Sequence, residues 1–138
     1  MGDSGKRREE RFRSQSEMTE EDNLHAALII REEAHALHNR LDYSSALQRY
    51  EDALIDLEKG LFRPTPSPAW QEAQLQLTCE TVQCLAALKQ HTRAVLLCRS
   101  YLDANSKSVE MRIALASVLS DTGSYDDALT ELRHVRST

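Results

Sequence analysis

Residues 31–58 read REEAHALHNRLDYSSALQRYEDALIDLE. Two amphipathic patterns lie here, one on each side of a very short turn. The first carries Ile30, Ala34, Leu37 and Leu41, spaced 4, 3 and 4. The second carries Ala46, Tyr50, Ala53, Leu54 and Leu57, again at helical spacing. Asp42 stands before the second run, where a short acidic side chain can accept from the free amides of a helix start. The stretch predicts a helical hairpin. Ala34, Ala46 and Ala53 stand where the two helices must approach closely, and Leu37, Tyr50 and Leu57 fill the space around them.

The same pattern returns downstream. Ala94 follows a turn and precedes Cys98 and Tyr101; Ala128 follows a Gly-containing turn and precedes Leu132 and Val135. Ala94 and Ala128 are 34 residues apart, and Ala46 and Ala94 are 48 apart, one period plus an insertion of 14. A helix-turn-helix unit returning every 34 residues is a tetratricopeptide spacing.

On these residues the chain resembles the tetratricopeptide repeat (TPR) family. Ala34, Leu37, Asp42, Tyr43, Ala46, Tyr50 and Ala53 match its pattern in the first repeat, and Ala116, Leu119, Gly123, Tyr125, Ala128 and Leu132 match it in the third. The second repeat keeps Leu85 and Ala94 but has Val82, His91, Cys98 and Tyr101 where the family prefers other types. The resemblance covers roughly residues 24–136. It implies an all-α fold, a right-handed superhelical stack of about three TPR helix-turn-helix repeats, six helices in all. The layout is also similar to the N-terminal part of TPR subunit seven of the anaphase-promoting complex.

Composition agrees with a helical stack. The chain has 138 residues, one domain by length. It is 41% hydrophobic but 5% aromatic, and 4 Gly and 3 Pro are too few for a strand-and-turn protein of this size. The net charge is −5 and uneven: residues 1–13 hold five basic and three acidic side chains, net +2, so the rest carries −7. An acidic body argues against a nucleic-acid partner. No apolar run is long enough to span a membrane, and no signal peptide is visible. Cys79, Cys84 and Cys98 are odd in number and lie on helical patterns. They read as reduced thiols of a cytoplasmic or nuclear protein.

In chain order, residues 1–18 have almost no apolar content and read as a disordered arm. Within it KRREERFR is interrupted by Glu9 and Glu10, which favours a solvated tail over an import or acidic-partner patch. Thr19 is the expected cap of a first helix over about 20–40, with Asp22 at the capping-box position. The further helices are expected at about 43–59, 68–90, 91–103, 108–120 and 124–136. The repeats are about 20–60, 68–104 and 108–136. Residues 61–67 form a Pro-rich insertion, read first as a spacer between repeats and second as a Pro-rich ligand motif or regulatory loop, since Thr65-Pro66 and Ser67-Pro68 are both Pro-directed phosphorylation patterns. Ser67 is expected to cap the third helix, with Pro68 at its first position.

No catalytic constellation is present in the sequence: no phosphate loop, no HExxH, no CxxC and no nucleophile elbow. His35 and His38 lie one turn apart, but no third ligand accompanies them, so no metal or other cofactor is expected and the chain is not expected to be an enzyme. The resemblance implies binding instead, on the concave face lined by the first helix of each pair. By register the groove positions are Arg31, His35, His38 and Asn39 in the first repeat. They are Gln76, Cys79, Glu80 and Gln83 in the second, and Glu110, Ile113, Ser117 and Ser120 in the third. Chaperone-binding TPR domains grip a partner's terminal carboxylate with cations and asparagines. Arg31 alone keeps that chemistry here, while Glu80 and Glu110 would repel a carboxylate, so a chaperone clamp is not expected.

Leu129, Leu132 and Val135 on the last helix are expected to leave part of an apolar face uncovered. The expected partner is a protein or client peptide, or a second copy or a longer TPR array through the C-terminal repeat. The first functional reading is a non-enzymatic scaffold subunit of a multiprotein complex. The second is a groove-type adaptor for a short peptide of a client.

Overall fold

A computed structural model describes residues 20–59 and 66–137. The arm, the cap at Thr19, Gly60 and residues 61–65 of the insertion lie outside the described residues. Among the described residues six helices follow one another: α1 (Glu20–Asn39), α2 (Tyr43–Lys59), α3 (Pro68–Ala87), α4 (His91–Ala104), α5 (Val109–Asp121) and α6 (Tyr125–Ser137). No strand occurs among the described residues. The helices pair as α1/α2, α3/α4 and α5/α6, and the pairs stack through α1 on α3, α2 on α3, α3 on α5 and α4 on α5.

The small residues do what their spacing requires. Ala34, Ala46, Ala53 and Ala94 have no exposed surface, so the backbones of each pair meet closely. Tyr50, Leu57, Leu77, Leu85, Met111 and Leu115 are the largest fully buried aromatic and aliphatic side chains and fill the core around them. Each fully buried side chain of this size contributes about 1.5–3 kcal/mol of transfer free energy.

Each hairpin turns by the same device. The second residue after the helix sits in the left-handed region: Leu41 at φ 64°, Lys89 at 63° and Gly123 at 82°. These positions are 48 and 34 apart, the repeat spacing read from the alanines. In every case the next residue's N–H donates back five positions and the left-handed residue's N–H donates back three: Asp42 to Leu37 and Leu41 to His38, Gln90 to Leu85 and Lys89 to Ala86, Ser124 to Leu119 and Gly123 to Ser120. This is a Schellman ending, which satisfies carbonyls the helix would otherwise orphan. Two expectations are corrected by it. Leu41 is not part of the first apolar stripe but the turn residue, 69% exposed. The third helix ends at Ala87 rather than near 90, because Leu88, Lys89 and Gln90 form the turn.

The entrance to α3 is braced. Ser67 is extended (φ −64°, ψ 156°), its Oγ accepts from the Trp70 N–H at 3.2 Å, and Pro68 follows at the first helical position. A Glu20 carboxylate oxygen accepts from the Ser67 N–H at 2.9 Å, tying the start of α1 to the start of α3. The buried Trp70 indole N–H donates to the Leu57 carbonyl at 2.9 Å, tying α3 to the last turn of α2.

The middle helix, α3, touches α1, α2, α4 and α5. Its burial therefore extends beyond the stripe its spacing predicts, Trp70, Ala73, Leu77, Thr81, Cys84, Leu85 and Leu88, to include Thr78 and Val82, while Leu88 falls in the turn and is half-buried. The Thr78 and Thr81 hydroxyls donate to the Gln74 and Leu77 carbonyls of the preceding turn, so neither enters the core unpaired.

Candidate functional site: a two-part concave groove

The first helix of each hairpin, α1, α3 and α5, carries the residues placed on the concave face by register. The structure divides them into two halves of different character.

Between α1 and α3 the groove is closed by an ion pair. The Arg31 Nε donates to both Glu80 carboxylate oxygens at 3.0 Å, and its Nη2 donates to Oε1. His35 Nε2 lies 3.1 Å from the same Oε1. The two side chains are 20% and 15% exposed, so the pair is largely withdrawn from water. The bond to Glu80 raises the Arg31 pKa above its ordinary value. His35 also meets the edge of Tyr50, with ring centroids 5.9 Å apart. His38 turns toward the hairpin: its Nδ1 is 3.8 Å from the Cys84 Sγ, and its ring meets Tyr43 edge-on at 5.3 Å. Asn39 is exposed at the end of α1. The Tyr50 hydroxyl is pushed to a higher pKa, first by burial and then by Glu80.

Between α3 and α5 the groove opens into a cavity of about 320 Å³. Cys79, Gln83, Glu110, Ile113 and Ser117, all expected on the concave face, line it together. Its floor comes from residues that register alone did not place there. Val82 and Val118 are 2% exposed, and Ala86 and Ala114 lie beside them. Asp121 closes the far end. Spacing carries part of the signal, since Cys79, Val82, Gln83 and Ala86 form an i, i+3, i+4, i+7 set, as do Glu110, Ile113, Ala114 and Ser117, but Val118 lies outside both sets and only the packing of α5 on α3 brings it to the floor. Gln76 does not line the cavity; its amide donates to Glu72 at 2.8 Å. Ser120 is exposed and also outside the lining.

The thiols are electrostatically quiet. Burial pushes Cys79 up to about 11, with Glu110 and Glu80 adding to the rise. Burial pushes Cys84 to about 11 and Cys98 to about 12. All three are free, and all stay protonated at neutral pH. Among the described residues no group of three or more His, Cys, Asp or Glu side chains is placed to hold a metal ion.

Two further features lie away from the groove. On the opposite side, a cleft of about 380 Å³ separates α2 from α4, with Leu54, Leu85, Leu96 and Leu97 in its walls and the Glu51–Arg93 ion pair across it at 3.1 Å. On α6, Leu129 is 50% and Leu132 43% exposed, while Val135 is half-buried. Glu131 holds that helix in place, receiving Arg112 at 2.9 Å and Arg99 at 3.7 Å.

No family model matches the chain, and no curated protein matches it by sequence. Among solved structures it is similar to the C-terminal TPR-containing domain of an FK506-binding protein from Plasmodium falciparum. The TM-score is 0.64 at 16% sequence identity, and the match covers 86% of this chain and 80% of that one. Hairpins returning at the tetratricopeptide spacing, left-handed turns in the same register and this structural likeness together identify the fold as that of a tetratricopeptide repeat array.

Proposed function

We propose that this chain is a non-catalytic protein-interaction module, and that the cavity between α3 and α5 is where it holds a short extended segment of a partner. The observation that carries this reading is the cavity's construction: a buried floor of Val82 and Val118 opens on the concave face between exposed polar rims. A concave site with an apolar floor and a few polar groups at its edge is the usual form of a small binding site. The groove's other half offers less, because Arg31, His35 and Glu80 already satisfy one another. The same pairing speaks against a carboxylate clamp, since the one suitable cation has a resident counter-ion.

The test is a random peptide display selection on the full chain, followed by Ala114→Leu, which fills the cavity. Selected peptides are expected to lose at least about tenfold in affinity while helical circular dichroism is retained. Peptides that ignore Ala114→Leu but fail against Leu96→Glu would move the site to the cleft between α2 and α4.

A second reading has its own observation. Leu129 and Leu132 stand about half exposed on α6, and paired exposed leucines on a helix face favour docking of another chain. A scaffold subunit that assembles a complex through α6 fits this face. Molar mass by light scattering over a concentration series decides it: a dimer that Leu132→Glu returns to monomer supports assembly between copies, and a monomer at every concentration argues against it.

A further inference from the structure

The cavity between α3 and α5 carries a charge pattern that narrows its occupant. Glu110 and Asp121 line its two ends, and no Lys, Arg or His lines it anywhere. Eleven positions separate them on one helix, which at 100° per position places them within about 20° of the same edge and about 16 Å apart along the axis. The nearest concave cation by register, Arg31, is bound to Glu80 and supplies no counter-charge. The floor between the carboxylates is Val82, Ala86, Ala114 and Val118. Burial first, and then Glu110, Glu80 and Glu72, keep the neighbouring Cys79 thiol protonated. A volume of about 320 Å³ is at the small end for binding sites, enough for one bulky side chain with its flanking backbone.

We infer that the occupant is a basic linear segment of another protein, seating one large aliphatic side chain on the Val82–Val118 floor with a cation at each end, against Glu110 and Asp121. This rests on the groove reading above. An extended chain advances about 3.3 Å per residue, so a 16 Å separation sets the two cations about five positions apart. Opposite charges at the rim steer the encounter and fix the register, while the apolar anchor supplies most of the affinity.

The test uses the full chain and labelled synthetic peptides with a central leucine and flanking arginines, glutamines or glutamates, read by fluorescence anisotropy. The arginine peptide is expected to bind about tenfold or more tighter than the glutamate peptide. Added salt is expected to shrink that advantage, and Glu110→Gln with Asp121→Asn to erase it. Ala114→Leu should block every peptide; if that variant melts early, Ser117→Trp covers the mouth from an exposed position instead. A glutamate peptide that binds as well as the arginine peptide, and is still blocked by Ala114→Leu, overturns the basic-segment assignment while leaving the groove as the site. Peptides that all bind regardless of the plug, or that bind neither the parent nor a chain with Arg11, Phe12 and Arg13 changed to Ser, overturn the groove reading with it. A basic peptide that binds only after Arg11, Phe12 and Arg13 are changed to Ser would make this chain's own arm the occupant and overturn the assignment to another protein.

Discussion

Leu41, Lys89 and Gly123 occupy equivalent left-handed positions, and one of the three is glycine. An L side chain there costs about 1–2 kcal/mol against the right-handed region, partly offset in a comparison with glycine by the greater freedom glycine loses on folding. Gly123→Ala is therefore expected to destabilise the fold by about 1 kcal/mol. A Cβ built on Gly123 meets nothing within 4 Å, so that cost is conformational and not steric. Leu41→Gly is expected to stabilise by about 0.5–1 kcal/mol, because the side chain is mostly exposed and little burial is lost. Urea midpoints of both variants check the pair, and a Leu41→Gly midpoint below the parent would refute the turn assignment. The thiols give a second expectation at this scale. Cys98 ionises near 9 when unfolded and is held to about 12 when folded. The folded state thus binds the proton more tightly, so the contribution to stability is complete below about pH 9 and is lost as the pH rises toward 12. A thermal melt series over that window should fall more steeply for the parent than for Cys98→Ala.

Helix contacts, not helix propensities, decide which elements are central. The pattern of α3 predicts one buried stripe, but the helix lies against four others and buries a wider arc that takes in Thr78 and Val82. Its register against α1 is set at two points, the Glu20–Ser67 hydrogen bond near their starts and the Arg31–Glu80 ion pair further along. A bidentate pair largely withdrawn from water is stronger than an exposed one. A double-mutant cycle of Arg31→Ala and Glu80→Ala is expected to show a coupling of about 1 kcal/mol. Zero coupling would mean the pair does not join the repeats. Ser67→Ala removes the oxygen that accepts from Trp70 N–H and is expected to cost about 1 kcal/mol, seen as a lower melting temperature.

At the scale of the whole molecule, stacking converts three similar hairpins into dissimilar surfaces. One half of the concave face is self-satisfied by Arg31, His35 and Glu80. The other is open over apolar residues with carboxylates at both ends. Carboxylates on the same concave face thus acquire different uses, because each side chain meets a different neighbour on the next helix. Glu80 finds a guanidinium 3.0 Å away, whereas Glu110 borders a cavity.

The period of 34, the insertion of 14, the small residues at the close approaches and the caps at Asp42 and Ser67 were legible in the chain. These features are local or periodic, and backbone geometry turns them into structure without reference to distant residues. Leu41 misled for a physical reason: a helical spacing continues to fit one residue past the last turn, and nothing in a leucine signals φ 64°. The Arg31–Glu80 pairing, the inward turn of His38 and the Val82–Val118 floor were decided by tertiary structure. Each depends on how neighbouring hairpins are offset and rotated, and that geometry is set by packing across residues tens of positions apart.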